Sequence, residues 1–254
     1  DTNIAWESNL AAYRTYGGVM EAFGKRPEGL ILDKLPTDYH HMQPWGMDVL
    51  RVGEASGLGG ITIWEDGAPV PVRNPGGKGE VKIRNKVLAS GPVRSLVEVE
   101  YDNIRTEKAA YRATVRCSAF AENLFSRQEI TFETAAGKTV EFSPGVQKLP
   151  GDVAVFDSGA GCLASWGFGE PEAGEIGLAL MFDPRQYAGI AETALDRLVK
   201  LKAETGKPFV YWVLGGWRKA LANPVAPSAR DWADRAAELG FRLRTPVEVR
   251  FLRE

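Results

Sequence analysis

The residues best able to do chemistry lie close together. His40 and His41 are the only histidines in the chain, and they are adjacent. Tyr39 precedes them, and Trp45, Asp48 and Arg51 follow. Histidine can take or give a proton near neutral pH, tyrosine can protonate a leaving oxygen, and arginine can grip a carboxylate in a planar fork. A second cluster begins earlier, with Trp6, Glu7, Tyr13, Arg14 and Tyr16. Flat aromatic faces beside charged groups suit a sugar ring and its hydroxyls. The same residues also fit an amphipathic edge strand. Asp48 and Arg51 read either as a surface ion pair or as a site in which Arg51 binds a carboxylate. Trp212 and Trp217 flank Gly215-Gly216, which makes Trp217 either a groove wall or a core residue.

If Tyr39–Gly53 is extended, alternate side chains point to opposite faces. Tyr39 and His41 then share one face, and Asp38 and His40 the other, so at most one histidine enters a site while the other supports it or is exposed. No metal is expected: the histidine pair lacks the partners of a zinc motif, and Cys117 and Cys162 match no zinc spacing. Those two cysteines read as buried free thiols, with a single disulfide as the alternative. The Gly-rich run from Gly53 to Gly60 lacks a Lys-Ser/Thr pair and a following helix, so no nucleotide site is expected there, and no cofactor is expected.

The elements that must hold these groups are mainly strands. Period-two alternation runs through residues 81–85, 95–104, 113–120, 126–133 and 140–146. Asp66-Gly67 marks a hairpin between Ile61–Trp64 and Val70–Val72. Residues 176–182 are almost wholly apolar and predict a central strand buried on both faces. Phe209–Leu214 and Pro246–Leu252 read as further strands. Residues 4–24 read as one strand, a bend at Gly17-Gly18 and a short segment. Residues 191–202 fit either a short helix or an edge strand. One helix is expected over Ser228–Leu239, capped by Ser228, with Trp232, Ala236 and Leu239 on its buried face and Gly240 ending it. Short strands at short spacing predict antiparallel sheet in a sandwich or barrel, as a single domain of 1–254.

Composition narrows the partners. The 254 residues carry a net charge of −2 and 44% hydrophobic residues. That gives no basic field for nucleic acid and no apolar run long enough for a membrane span. The chain opens Asp1-Thr2-Asn3 without a leader pattern, which fits a cytoplasmic protein or one whose leader has been removed.

The run Trp6-Glu7-Ser8, Ala12–Gly17, Tyr39-His40 and Gly46–Gly53 with Gly57–Gly60 resembles the bacterial domain-of-unknown-function family 4861. The similarity extends weakly through Trp217 and Trp232. It implies a carbohydrate-active protein from the degradation of uronate-containing polysaccharides, a supersandwich of the galactose-mutarotase type, and a periplasmic or extracellular location. The chemistry that suits these groups in that setting is β-elimination on a uronic acid, by a lyase or dehydratase acting on an oligosaccharide. His40 or His41 is then the base, Arg51 or Arg14 neutralises the carboxylate, and Tyr39 or Tyr13 is the acid, with Trp6, Glu7, Trp45, Asp48 and Trp217 binding substrate. The rivals are a glycoside hydrolase using Glu7 and Asp48, and a glycan-binding module without chemistry.

Overall fold

The computed structural model describes residues 3–26, 29–35, 38–74, 79–221 and 228–246. Three antiparallel sheets make up the fold. A small sheet has the order β1 (Asn3–Glu7), β2 (Ala12–Tyr16), β3 (Val19–Lys25), β4 (Gly46–Asp48). A five-stranded sheet joins β5 (Leu58–Glu65), β6 (Ala68–Pro71), β11 (Thr139–Gln147), β15 (Tyr187–Glu192) and β16 (Asp196–Glu204) in the order β15-β16-β11-β5-β6. The large sheet holds β7 (Lys82–Ser90), β8 (Arg94–Arg105), β9 (Ala110–Phe120), β10 (Phe125–Thr134), β12 (Val153–Asp157), β13 (Cys162–Phe168), β14 (Glu175–Met181) and β17 (Phe209–Trp217). Its order is β12-β13-β14-β17-β10-β9-β8-β7.

The small and five-stranded sheets cover one face of the large sheet, and the helix α1 (Ala229–Arg244) covers the other face at β12–β14. Strand alternation produces both cores. Leu178 and Leu180 of β14 join the apolar cluster shared by all three sheets, while Ala179 and Met181 join the cluster under α1. β14 is therefore the central strand, buried on both faces, that its sequence predicts. Cys117 lies in the first cluster and Cys162 in the second, so the sheet itself separates them and both thiols are free. Burial pushes the Cys162 thiol up to about 12.

Several boundaries differ from the sequence reading. Residues 4–16 form two strands, because the Ser8 hydroxyl accepts from the Leu10 and Ala11 amides at 3.2 and 3.0 Å and turns the chain. Gly17 and Gly18 have φ of 57° and 94°, as a two-residue hairpin turn of this hand requires. Residues 191–202 hold no helix: they are the end of β15, a turn at 193–195 and most of β16, with β16 interior to its sheet and β15 at the edge. The helix runs past Gly240 to Arg244; Gly240 is there for close packing, since a Cβ on it would lie 3.2 Å from Met181. Ser228 caps the helix as expected, accepting from the Asp231 amide at 3.2 Å. The closing strand expected at Pro246–Leu252 falls almost wholly outside the described residues. No described helix is long and apolar enough to cross a membrane.

Candidate functional site

Cross-strand partners share a face of the sheet, and the register of the small sheet therefore sorts its residues. One row runs Ala5, Arg14, Glu21 and another runs Glu7, Ala12, Phe23, Asp48. Arg14, Glu21 and Asp48 all lie on the face turned away from the large sheet. Trp6, Tyr13 and Met47 occupy the opposite face and belong to the main core.

A loop is laid over the outer face. Ile31, Leu32, Leu35, Tyr39 and Trp45 pack with Ala12 and Phe23 into a small apolar cluster. The Glu7–Lys25 pair anchors the start of this loop. The Lys25 side chain is 1% exposed and donates to Glu7 Oε2 at 2.6 Å and to the Ser8 and Gly29 carbonyls at 2.6 and 2.8 Å. The Glu7 carboxylate also accepts from the Ile31 and Leu32 amides, each at 2.9 Å at closest. Glu7 is thus fully engaged in fixing the loop. Burial holds the Lys25 ammonium below the ordinary lysine range, with Glu7 opposing that shift.

The loop's far end returns as β4. Gly46 has φ of 134° and lies so close to β3 that a Cβ on it would overlap the Gly24 carbonyl. This close approach brings Asp48 beneath the loop, where its amide donates to the Tyr39 carbonyl at 2.8 Å. Asp48 is 1% exposed. Burial, reinforced by the charges of Glu21 and Glu170, raises its carboxyl to about 8. Its Oδ1 accepts from the Leu50 amide at 3.1 Å, and its Oδ2 faces His40 Nδ1 at 3.4 Å.

Tyr39 and His40 lie together, with ring centroids 4.5 Å apart. Arg14 Nη1 donates to the Tyr39 hydroxyl at 2.6 Å, and the guanidinium carbon sits 5.2 Å from the Tyr39 ring centroid and 5.7 Å from that of Tyr16. Arg14 also donates to Asn3 Oδ1 at 3.1 Å and approaches Glu21 Oε2 to 3.8 Å. Glu21 Oε2 is buried without a hydrogen-bond partner among the described residues, and burial raises this carboxyl despite Arg14. The result is an Arg14–Tyr39 pair beside an Asp48–His40 pair, with His40 still 54% exposed at its side chain.

The alternation expected across residues 39–53 does not occur, because only Gly46–Asp48 is strand. Reciprocal bonds between the Gln43 and Gly46 backbones, at 2.9 and 3.1 Å, fold the segment back on itself. Tyr39 therefore pairs with His40, and His41 turns to Glu172, with Nδ1 2.8 Å from Oε1. The Met42 amide donates to the other Glu172 oxygen at 3.0 Å, and the hydrogen bond to Glu172 raises the His41 imidazole. Arg51 does not pair with Asp48. Its side chain is 82% exposed and reaches Glu170 at 3.8 Å.

The other aromatic candidates lie inside the protein. Trp6 donates to Ser126 Oγ at 2.8 Å and is 1% exposed. The Tyr13 hydroxyl donates to the Leu124 carbonyl and accepts from the Gly215 amide at 3.1 Å. Burial pushes the Tyr13 phenol well up. Trp217 is buried, packs over Gly24 and Val49, and donates to the Ala173 carbonyl at 2.8 Å. None of the three has a free ring face, so Trp6, Tyr13 and Trp217 act on the site through the walls that carry it. Trp45 is half-buried against Phe23, and its Nε1 is buried without a partner among the described residues.

Sequence reasoning missed Glu21, Glu170 and Glu172. Glu21 had a signal: it is the single charge in the apolar run Val19–Phe23. Glu170 and Glu172 flank Pro171 in a turn that a local pattern cannot connect to a histidine 131 residues away. Among the described residues, no group of three or more His, Cys, Asp and Glu side chains is arranged to hold a metal ion.

Comparison with known proteins fixes the family and the fold. The chain is 24% identical to Uncharacterized protein P7 of Formosa agariphila over 281 residues, covering 97% of this chain and 66% of that protein. It therefore spans a little under two thirds of that relative's length. A putative kojibiose phosphorylase from human microbiome superposes with a TM-score of 0.54 at 8% identity, over 96% of this chain and 33% of the phosphorylase. A putative aldose 1-epimerase from Klebsiella pneumoniae gives a TM-score of 0.40 at 9% identity, over 94% and 87% of the two chains. With residues 2–249 matched by the family described as Domain of unknown function (DUF4861), the chain belongs to that family and folds as a mainly β, antiparallel sandwich.

Proposed function

We propose that the protein acts on uronic-acid-containing oligosaccharides by β-elimination outside the cytoplasm. The observation that carries this reading is the pairing of Tyr39 with Arg14 and of His40 with Asp48, with the two rings side by side. Elimination needs a base for the acidic proton beside the carboxyl group, a cation for the carboxylate, and an acid for the leaving oxygen.

His40 is the base. Its Nδ1 faces Asp48; with Asp48 ionised, above its raised value of about 8, the carboxylate accepts the Nδ1 hydrogen, orients the ring and leaves Nε2 to take the C5 proton. The electron pair released forms the C4=C5 double bond as the C4–O bond breaks. Tyr39 gives its proton to the departing oxygen, and the Arg14 guanidinium stabilises the phenolate left behind. Arg51, exposed and held among the described residues by one long contact to Glu170, is the cation that neutralises the substrate carboxylate. Base and acid on one side of the sugar suit a syn elimination. The leaving group is a sugar in a lyase and water in a dehydratase.

A second reading is favoured by the raised Asp48 carboxyl beside Glu170. Hydrolysis uses one protonated and one ionised carboxyl group, and Asp48 fits the acid. Glu7, whose oxygens are all engaged, does not fit the second role.

Incubation with a panel of uronate and neutral oligosaccharides tests the proposal. Elimination gives an unsaturated product that absorbs in the ultraviolet, and only from uronates. New reducing ends without that absorbance favour hydrolysis. Glycan binding without turnover favours a binding module.

A further inference from the structure

A groove of about 330 Å³ opens beside the candidate site. Pockets of roughly 300–1,000 Å³ with apolar walls and a few placed polar groups are the usual form of small-ligand sites. Phe168, Pro150 and Pro171 supply apolar walls here, and Arg51, Glu170 and Gln147 supply the polar groups. Three observations point to a sugar as occupant.

The first is Phe168. It ends β13, is 53% exposed, and has its amide fixed to the Pro150 carbonyl at 3.1 Å. One edge of its ring lies over Gly151, since a Cβ there would sit 3.7 Å from the ring. An aromatic ring held by its backbone and open to solvent presents a negative π-face, which matches the electropositive C–H face of a pyranose.

The second is Gln147. Its Nε2 donates to the Arg51 carbonyl at 2.8 Å, so its amide is held in place. Its Oε1 is buried with no hydrogen-bond partner among the described residues. A fixed acceptor of this kind calls for a donor, and a sugar hydroxyl is one.

The third is continuity. Leu50, at the edge of the groove, has its amide on Asp48 Oδ1, and Glu170, in the groove wall, has its amide on the Val49 carbonyl at 3.2 Å. The backbone from Asp48 to Arg51 thus leads directly from the proposed reacting centre into the groove.

We propose that this groove is the subsite for the sugar ring adjoining the reacting uronate, with Phe168 as its stacking wall and Gln147 Oε1 as an acceptor for one of its hydroxyls. Arg51 stands at the boundary between the two rings. The proposal rests on the uronate reading for the reacting ring only, because stacking on Phe168 needs a pyranose and no charge. It makes the protein selective for oligosaccharides over single sugars.

The test is calorimetric titration of the full chain with uronate mono-, di- and trisaccharides and with neutral oligosaccharides of equal length. A His40→Ala background prevents turnover. Affinity is expected to rise with length, and Phe168→Ala is expected to lower oligosaccharide affinity about tenfold, the equivalent of ~1.4 kcal/mol. Monosaccharide affinity stays unchanged. Phe168 is exposed, so an unaltered thermal midpoint will verify that the variant folds. Length-dependent affinity that is insensitive to Phe168→Ala, or no oligosaccharide binding at all, overturns the subsite. Turnover is read separately, by ultraviolet absorbance with His40 intact: neutral oligosaccharides that need Phe168, together with uronates that this chain never eliminates, uphold the subsite and overturn the uronate chemistry. Eliminated uronates whose binding ignores Phe168 do the reverse.

Discussion

Removing the Glu7 carboxylate should cost far more than removing an exposed charge. The Lys25 side chain is 1% exposed, and its ammonium is held by Glu7 and two carbonyls, each within 2.8 Å. In Glu7→Ala the ammonium keeps its burial and loses its counter-charge. Leaving one partner of a buried pair uncompensated costs about 3–5 kcal/mol. The Ile31 and Leu32 amides lose their acceptor in the same substitution, at roughly 1–3 kcal/mol for each one left buried and unpaired. The terms share one carboxylate and do not simply add. Taking ~4 kcal/mol and roughly 2–4 °C per kcal/mol for a chain of this size, the thermal midpoint should fall by about 10 °C. Differential scanning calorimetry reads this directly, and limited proteolysis should show cleavage near residues 29–35. A Glu7→Leu, Lys25→Met double variant should recover much of the loss, because an apolar pair leaves no buried charge. A Glu7→Ala midpoint within about 2 °C of the original, or a double variant no better than the single one, would refute the assignment of Glu7 to the scaffold.

The Asp48 carboxyl, raised to about 8 by burial, makes stability depend on pH. A group whose folded-state pKa is raised contributes stability that is complete below its ordinary value and is lost as pH rises through the folded value. Thermal midpoints should therefore fall between pH 4 and pH 9, and Asp48→Asn should flatten that slope and be the more stable form at the alkaline end. Tyr13→Phe removes a hydroxyl that bridges Leu124 and Gly215 inside the core. It should cost about 1–3 kcal/mol in chemical denaturation while leaving the elimination rate intact.

Much of the sheet structure could be read from the sequence because alternation is a local property. β8, β9 and β10 show their buried and solvent faces residue by residue, and β14 shows two buried faces in an unbroken apolar run. The helix start was readable for the same reason, since Ser228 and Asp231 cap it within one turn. Its end was not, because the space beside Met181 sets the role of Gly240.

The site divides along similar lines. The sequence draws attention to Tyr39, His40, Asp48 and Arg14 by residue type, and the fold brings these four together. It cannot show that the Gln43–Gly46 turn joins Tyr39 to His40 and sends His41 to Glu172. Nor does it separate Trp6 and Tyr13, turned into the core, from Arg14, turned outward. That distinction depends on which face of the small four-stranded sheet meets the rest of the protein, and a partner sheet far along the chain decides it.

The doublet of histidines gives the most direct test of the central claim. Wild type, His40→Ala and His41→Ala should each be incubated with uronate oligosaccharides while ultraviolet absorbance follows the unsaturated product. His40 faces Asp48 beside Tyr39, whereas His41 is an exposed clip to Glu172. The account predicts product from wild type and from His41→Ala, and none from His40→Ala. Full activity in His40→Ala, or no unsaturated product from wild type with any uronate, would contradict it.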